Sequence, residues 1–87
     1  MGNRNILQMK ISDTSQLGKV IRARRKELRY TQAYLAEFTG FSVSFISDLE
    51  HGKPTCEIGK TLYLMSLLGL DVMVERRGAD ARPEGPD

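Results

Sequence analysis

The chain has 87 residues, room for one small domain. A domain of this size buries only about 60% of its unfolded surface, so the monomer is marginal and self-association is expected. It is 40% hydrophobic and 28% charged, and its apolar runs span a few residues, far below the roughly 20 that cross a bilayer. No basic segment followed by an apolar stretch and cleavage site opens the chain, so no signal peptide is expected. The lone Cys56 has no disulfide partner and no companion at metal-ligand spacing, which points to a reduced, cytoplasmic setting. Net charge is only +2, but residues 1–54 carry nine Lys/Arg against five Asp/Glu, and residues 55–87 four against six. Between Lys19 and Arg29 six basic residues face one acid, Glu27. Such a stripe is either a solvated helix face or a footprint for a phosphate backbone.

In chain order, residues 1–12 form an N-terminal segment. Leu7-Gln8-Met9-Lys10-Ile11 alternates as a short half-buried strand would. Met9 is a second candidate start. Asp13 with Gln16 three residues on reads as a capping box, and Leu17, Val20, Ile21 and Leu28 follow at helical spacing. Arg25 falls on that apolar stripe. An unpaired buried charge is very costly, so Arg25 needs a carboxylate.

A second helix starts at Thr31 as N-cap, with Tyr30 and Leu35 placed as a hydrophobic staple, and breaks at Thr39-Gly40. A third repeats the design, with Phe41, Ser42 as N-cap and Ile46. Two short stapled helices joined through Gly40 meet at a steep angle. Ile46 and Leu49 point inward, with Glu50 about 40° from Ile46. Glu50 is therefore the carboxylate Arg25 requires. Ser44 and Asp48 point the opposite way, with Ser47 beside them, and Gly52 and Pro54 stop the helix.

A fourth helix is expected to be capped by Thr55, with Ile58, Leu62, Met65 and Leu68 inward and Gly69 at its end. Leu64 and Leu67 supply a surplus apolar face. Residues 70–75 alternate as a strand, and residues 76–87 have the composition of a disordered tail.

Thr31-Gln32, Leu35-Ala36, Gly40, Ser42, Ile46-Ser47, Leu49-Glu50 and Gly52 together form one spaced pattern. It resembles the helix-turn-helix of the Xre and lambdoid phage repressors, over about Leu17 to Leu68. The resemblance implies a mainly α, four-to-five-helix lambda-repressor-like DNA-binding domain (residues 13–69, motif 31–52), and it implies the same Arg25–Glu50 pair that the stripe argument reached. It implies that the third helix enters a major groove about 12 Å wide. The base-edge positions are then Val43, Ser44, Ser47 and Asp48, beside the cap Ser42. Gln32 is implied to contact phosphate and brace the reading helix, and His51 and Lys53 stand at phosphate-contact positions. Arg22 and Arg29 add further candidates. Phe45 is either a packing residue or a contact to DNA sugar. The reading set has no Arg, Asn or Gln, so bidentate contacts to G or A are missing, and either modest base discrimination or a larger role for DNA shape is expected.

Four helices followed by a strand look like HipB-type antitoxins, in which strands from two protomers pair across a dimer. That likeness implies a homodimer joined through Leu64, Leu67, Leu70, Val72 and Val74. It also implies a palindromic double-stranded operator, autorepression, and a HipA-type Ser/Thr kinase toxin as partner. A stand-alone regulator (phage repressor or restriction-modification controller) and an interaction module with the same fold are the alternatives. No membrane partner, cofactor, metal or catalytic site is expected: the lone His51 has no acid-base partner placed by the sequence, and there is no phosphate-binding glycine loop.

Overall fold

The computed structural model describes residues 8–78. Four helices follow in order: α1 Thr14–Glu27, α2 Gln32–Thr39, α3 Val43–Glu50 and α4 Ile58–Leu67. Three begin on a side-chain cap. The Asp13 carboxylate accepts from the Gln16 N–H at 2.8 Å, and Gln16 reaches back to the Ser12 N–H at 2.7 Å. Thr31 accepts from Tyr34 N–H at 2.9 Å and Ser42 from Phe45 N–H at 3.0 Å. Each bond satisfies one of the backbone donors that a helix start leaves unpaired. Gly40, at φ 83°, turns the chain between α2 and α3.

Ile21, Leu35, Ala36, Ile46, Leu49, Leu64, Met65 and Leu68 form one buried core. Leu17, Leu28, Tyr30, Phe41 and Phe45 pack around it. The staple residues Tyr30 and Phe41 thus close the core at the entrances of α2 and α3, fixing how the chain enters each helix.

The start and rotation of α4 differ from expectation. Its N-cap is Glu57, without a side-chain cap bond, and Thr55 lies in the preceding turn. The inward residues are Thr61, Leu64, Met65 and Leu68, whereas Ile58 is 68% and Leu62 45% exposed. Both stripes share Met65 and Leu68, and they differ by a rotation of roughly 50°. The observed rotation puts Leu64 fully inside. It also buries a threonine at little cost, because the Thr61 hydroxyl donates to the Glu57 carbonyl at 2.8 Å. Leu64 is therefore a core residue and presents no surface to a second chain, while Leu67 is half-buried.

No strand is present among the described residues; 70–76 carry no regular structure, and neither do 8–12. A strand exists by pairing, and the backbone here finds no ladder partner among the described residues. The two segments do lie side by side: Gln8 Nε2 is 3.6 Å from Met73 Sδ. Together with Val20 and Ala23 of α1 they line an open groove of about 820 Å³. The expected disordered tail lies, from residue 79 onward, outside the described residues.

Candidate nucleic-acid interface

The site is built around a charged pair inside the core. Arg25 Nε donates to Glu50 Oε2 at 2.6 Å, and a second guanidinium nitrogen to Oε1 at 2.9 Å. The remaining Arg25 nitrogen donates to the Tyr30 carbonyl at 2.8 Å, and Gln32 Nε2 to Glu50 Oε1 at 3.0 Å. Arg25 is 6% and Glu50 5% exposed. Arg22 approaches from the surface, its Nε 4.0 Å from Glu50 Oε1. One carboxylate thus joins α1, α2 and α3, and the bidentate fork fixes its orientation as well as its distance. Among the described residues, no buried side-chain nitrogen or oxygen lacks a partner.

Burial by itself pushes the Glu50 carboxyl upward. The hydrogen bonds from Arg25 and Gln32, with the charges of Arg25 and Arg22, outweigh it and hold Glu50 below its ordinary range. The hydrogen bonds to Glu50 hold Arg25 above its own.

Backbone contact completes the lock. A β-carbon at position 18 would lie 2.5 Å from the Leu49 carbonyl oxygen and 2.6 Å from that of Glu50. Only glycine lets α1 press so closely on the end of α3. One turn earlier, the Thr14 hydroxyl donates to the Gly52 carbonyl at 2.7 Å. On the other side of α1, Arg24 Nε donates to the Leu68 carbonyl at 2.8 Å and tethers the end of α4.

With its inner side held this way, α3 turns another face to solvent. Val43 is 44% exposed, and Ser44 is exposed too. Ser47 and Asp48 are half-buried. Asp48 is engaged by Lys53 at 3.3 Å. His51 Nδ1 lies 2.8 Å from the Ser47 carbonyl, which can only accept, so Nδ1 carries the proton and Nε2 remains the outer nitrogen. Ser42 is spent on its cap. Gln32 braces α3 with its side chain, which leaves its backbone N–H, at the start of α2, as a donor for an anion.

Phe45 packs edge-on against Phe41, centroids 5.4 Å apart, and Phe41 against Tyr63 of α4 at 6.0 Å. Lys60 sits over both phenylalanines at 5.5 and 5.6 Å. Phe45 is thus a packing residue in this chain, joining the start of α3 to α4. Three contributors were not singled out from sequence: Gly18, Arg24 and Lys60. A glycine inside a helical stripe was the available signal for the first; the other two read as ordinary surface cations.

A helix-turn-helix domain family model matches residues 16–77. The chain belongs to the helix-turn-helix family of transcriptional regulators, of the Xre type. An uncharacterised HTH-type transcriptional regulator, y4mF of Sinorhizobium fredii, is 40% identical over 63 residues, 72% of this chain and 83% of that protein. Among solved structures the fold matches HipB in complex with an O4 20mer, with TM-score 0.73 at 21% identity, over 82% of this chain and all of that one. It matches equally a chain of the HipA-HipB-O2-O3 complex, with TM-score 0.74 at 21% identity and the same coverage. This helix-turn-helix domain is therefore of HipB-like fold, and no helix among the described residues is long and apolar enough to cross a membrane.

Proposed function

We propose that this regulator is a cytoplasmic, sequence-specific repressor that binds a palindromic operator as a homodimer, each α3 lying in a major groove. The observation that carries this is the three-way lock on Glu50, which holds α3 rigid while Val43, Ser44, Ser47 and Asp48 face outward. In this reading Ser44 and Ser47 donate to or accept from base edges, and Val43 meets a thymine methyl. Asp48 accepts from a cytosine amine, with Lys53 neutralising its charge beside the backbone. Gln32, Ser42, His51, Lys53, Arg22 and Arg29 position the domain on phosphates through side chains or backbone N–H groups.

The homodimer joins through the apolar end of the molecule. In this reading Leu67, Leu70, Val72 and Val74 line the interface, joined by Ile58 and Leu62, which are exposed on α4 where Leu64 is buried. The segment 70–75 gains its ladder partner from the second protomer. HipB-like architecture supports an antitoxin that represses its own operon and sequesters a HipA-type kinase toxin. The kinship with an HTH-type transcriptional regulator supports a second reading, a stand-alone repressor. A kinase-like reading frame beside the gene favours the first; its absence favours the second.

Footprinting on the DNA upstream of its own reading frame, at several salt concentrations, tests the proposal. The expected result is a protected palindrome that Ser44→Ala with Asp48→Ala weakens about tenfold or more without dissociating the dimer. Binding that is only salt-sensitive, with no sequence preference, would overturn the repressor reading and leave an interaction module.

A further inference from the structure

Three helices of this chain end in the same hydrogen-bonded turn. At the end of α3, Lys53 N–H reaches the Asp48 carbonyl at 3.0 Å and Gly52 N–H that of Leu49 at 3.0 Å. At the end of α4, Leu70 N–H reaches Met65 at 2.9 Å and Gly69 N–H reaches Ser66 at 3.1 Å. At the end of α1, Tyr30 N–H reaches Arg25 at 3.1 Å and Arg29 N–H reaches Lys26 at 2.9 Å. Such a turn requires a left-handed residue after the cap, which glycine supplies without strain. Gly52 and Gly69 occupy it at φ 83° and 78°. At α1 the residue is Arg29, at φ 64°, the one non-glycine residue with positive φ among those described.

A strained backbone position persists where the side chain is wanted. Arg29 is exposed and makes no ion pair or side-chain hydrogen bond among the described residues, so the guanidinium does nothing for the fold. It stands two residues before the Thr31 cap and three before Gln32, whose side chain holds the reading helix. Arg22 and Lys26, one turn apart on α1, lead up to it as exposed cations. We infer that Arg29 is a phosphate anchor kept at the expense of stability, setting the domain on the DNA backbone at the entrance to α2. The inference rests on the DNA-binding reading above and goes beyond it, because it says which single side chain the fold is strained to present.

Three substitutions at the position separate charge from strain. Arg29→Lys keeps both, Arg29→Ala keeps the strain alone, and Arg29→Gly removes both. Each is measured by thermal melting and by titration onto two duplexes of about 30 base pairs, the protein's own upstream DNA and a random sequence. Expected is a loss of about sixtyfold at 0.1 M salt for Ala and Gly on both duplexes, with the salt slope shallower by about 1.8, as for two lost phosphate contacts, one from each protomer. Lys should bind like wild type. Only Gly should melt higher, by roughly 2–5 °C. Wild-type affinity and slope in both Ala and Gly would overturn the anchor, and no thermal gain in Gly would overturn the trade against stability. A wild-type protein that binds both duplexes equally would instead defeat the repressor reading, while the slopes on random DNA still decide Arg29. Binding to neither duplex would overturn both.

Discussion

Where α1 meets α3, two charged side chains are almost fully buried and their polar atoms are all partnered. On the outer side of α4, Ile58, Leu62 and Tyr63 stand exposed, and so do Val72, Met73 and Val74 in the segment after it. The two regions bury and expose opposite chemistries. Directional bonds in the first fix one orientation of α3, since a displaced guanidinium would strand a charge in the core. Apolar surface in the second is non-directional and asks only for area to be covered. One end of the molecule is finished within the single chain, and the other leaves apolar surface exposed.

The largest effect should come from Glu50→Ala, which leaves Arg25 buried and unpaired and should cost about 3–5 kcal/mol in urea unfolding. An unchanged midpoint would erase the contrast between the two ends. The same pair sets the acid limb. Because Glu50 is held below its ordinary range in the folded state, its contribution is fully present above the unfolded carboxyl value and disappears as pH falls through the lower folded one. Stability measured from pH 7 downward should therefore decline more steeply in the wild type than in Glu50→Gln.

Gly18→Ala comes next. The added methyl meets backbone oxygens of Leu49 and Glu50 that cannot swing aside, so a loss of about 1–3 kcal/mol is expected despite alanine's better helix propensity. A stabilised variant would show that α1 and α3 are not in such close contact. Smallest in the monomer is Leu62→Asp with Val74→Asp, both exposed. These should weaken self-association at least tenfold, about 1.4 kcal/mol, in analytical ultracentrifugation. They should also move the concentration dependence of the melting temperature to at least tenfold higher protein concentrations. An unaffected dimer would move the interface off this end.

How far the sequence disclosed the molecule follows the same division. Arg25 on an apolar stripe demanded a carboxylate, and helical spacing put only Glu50 in reach; the three caps were legible because each has a specific donor to satisfy. The rotation of α4 was not, since Ile58/Leu62 and Thr61/Leu64 make rival stripes with Met65 and Leu68 in common. Apolar spacing weighs against a threonine, and nothing local announces that Thr61 will settle its hydroxyl on the Glu57 carbonyl. For Gly18 the sequence offered only a glycine inside a helical stripe, because its role is a missing atom, visible once α3 is laid against α1. Residues 70–75 alternate as strands do, yet alternation supplies a face and not a neighbour, and the described residues offer no ladder.

The lock on Glu50 has a consequence for how freely the outer face can change. Arg25, Gln32 and Gly18 hold α3 through its carboxylate and its last carbonyls, and the side chains of Val43 and Ser44 take no part in that hold. On the proposed DNA-binding reading, recognition and architecture are written in separate alphabets on one eight-residue helix. A library randomised at positions 43 and 44, with proline and glycine left out, should melt within a few degrees of the parent. Its members would differ in which DNA they prefer, and the domain could be retargeted without being rebuilt.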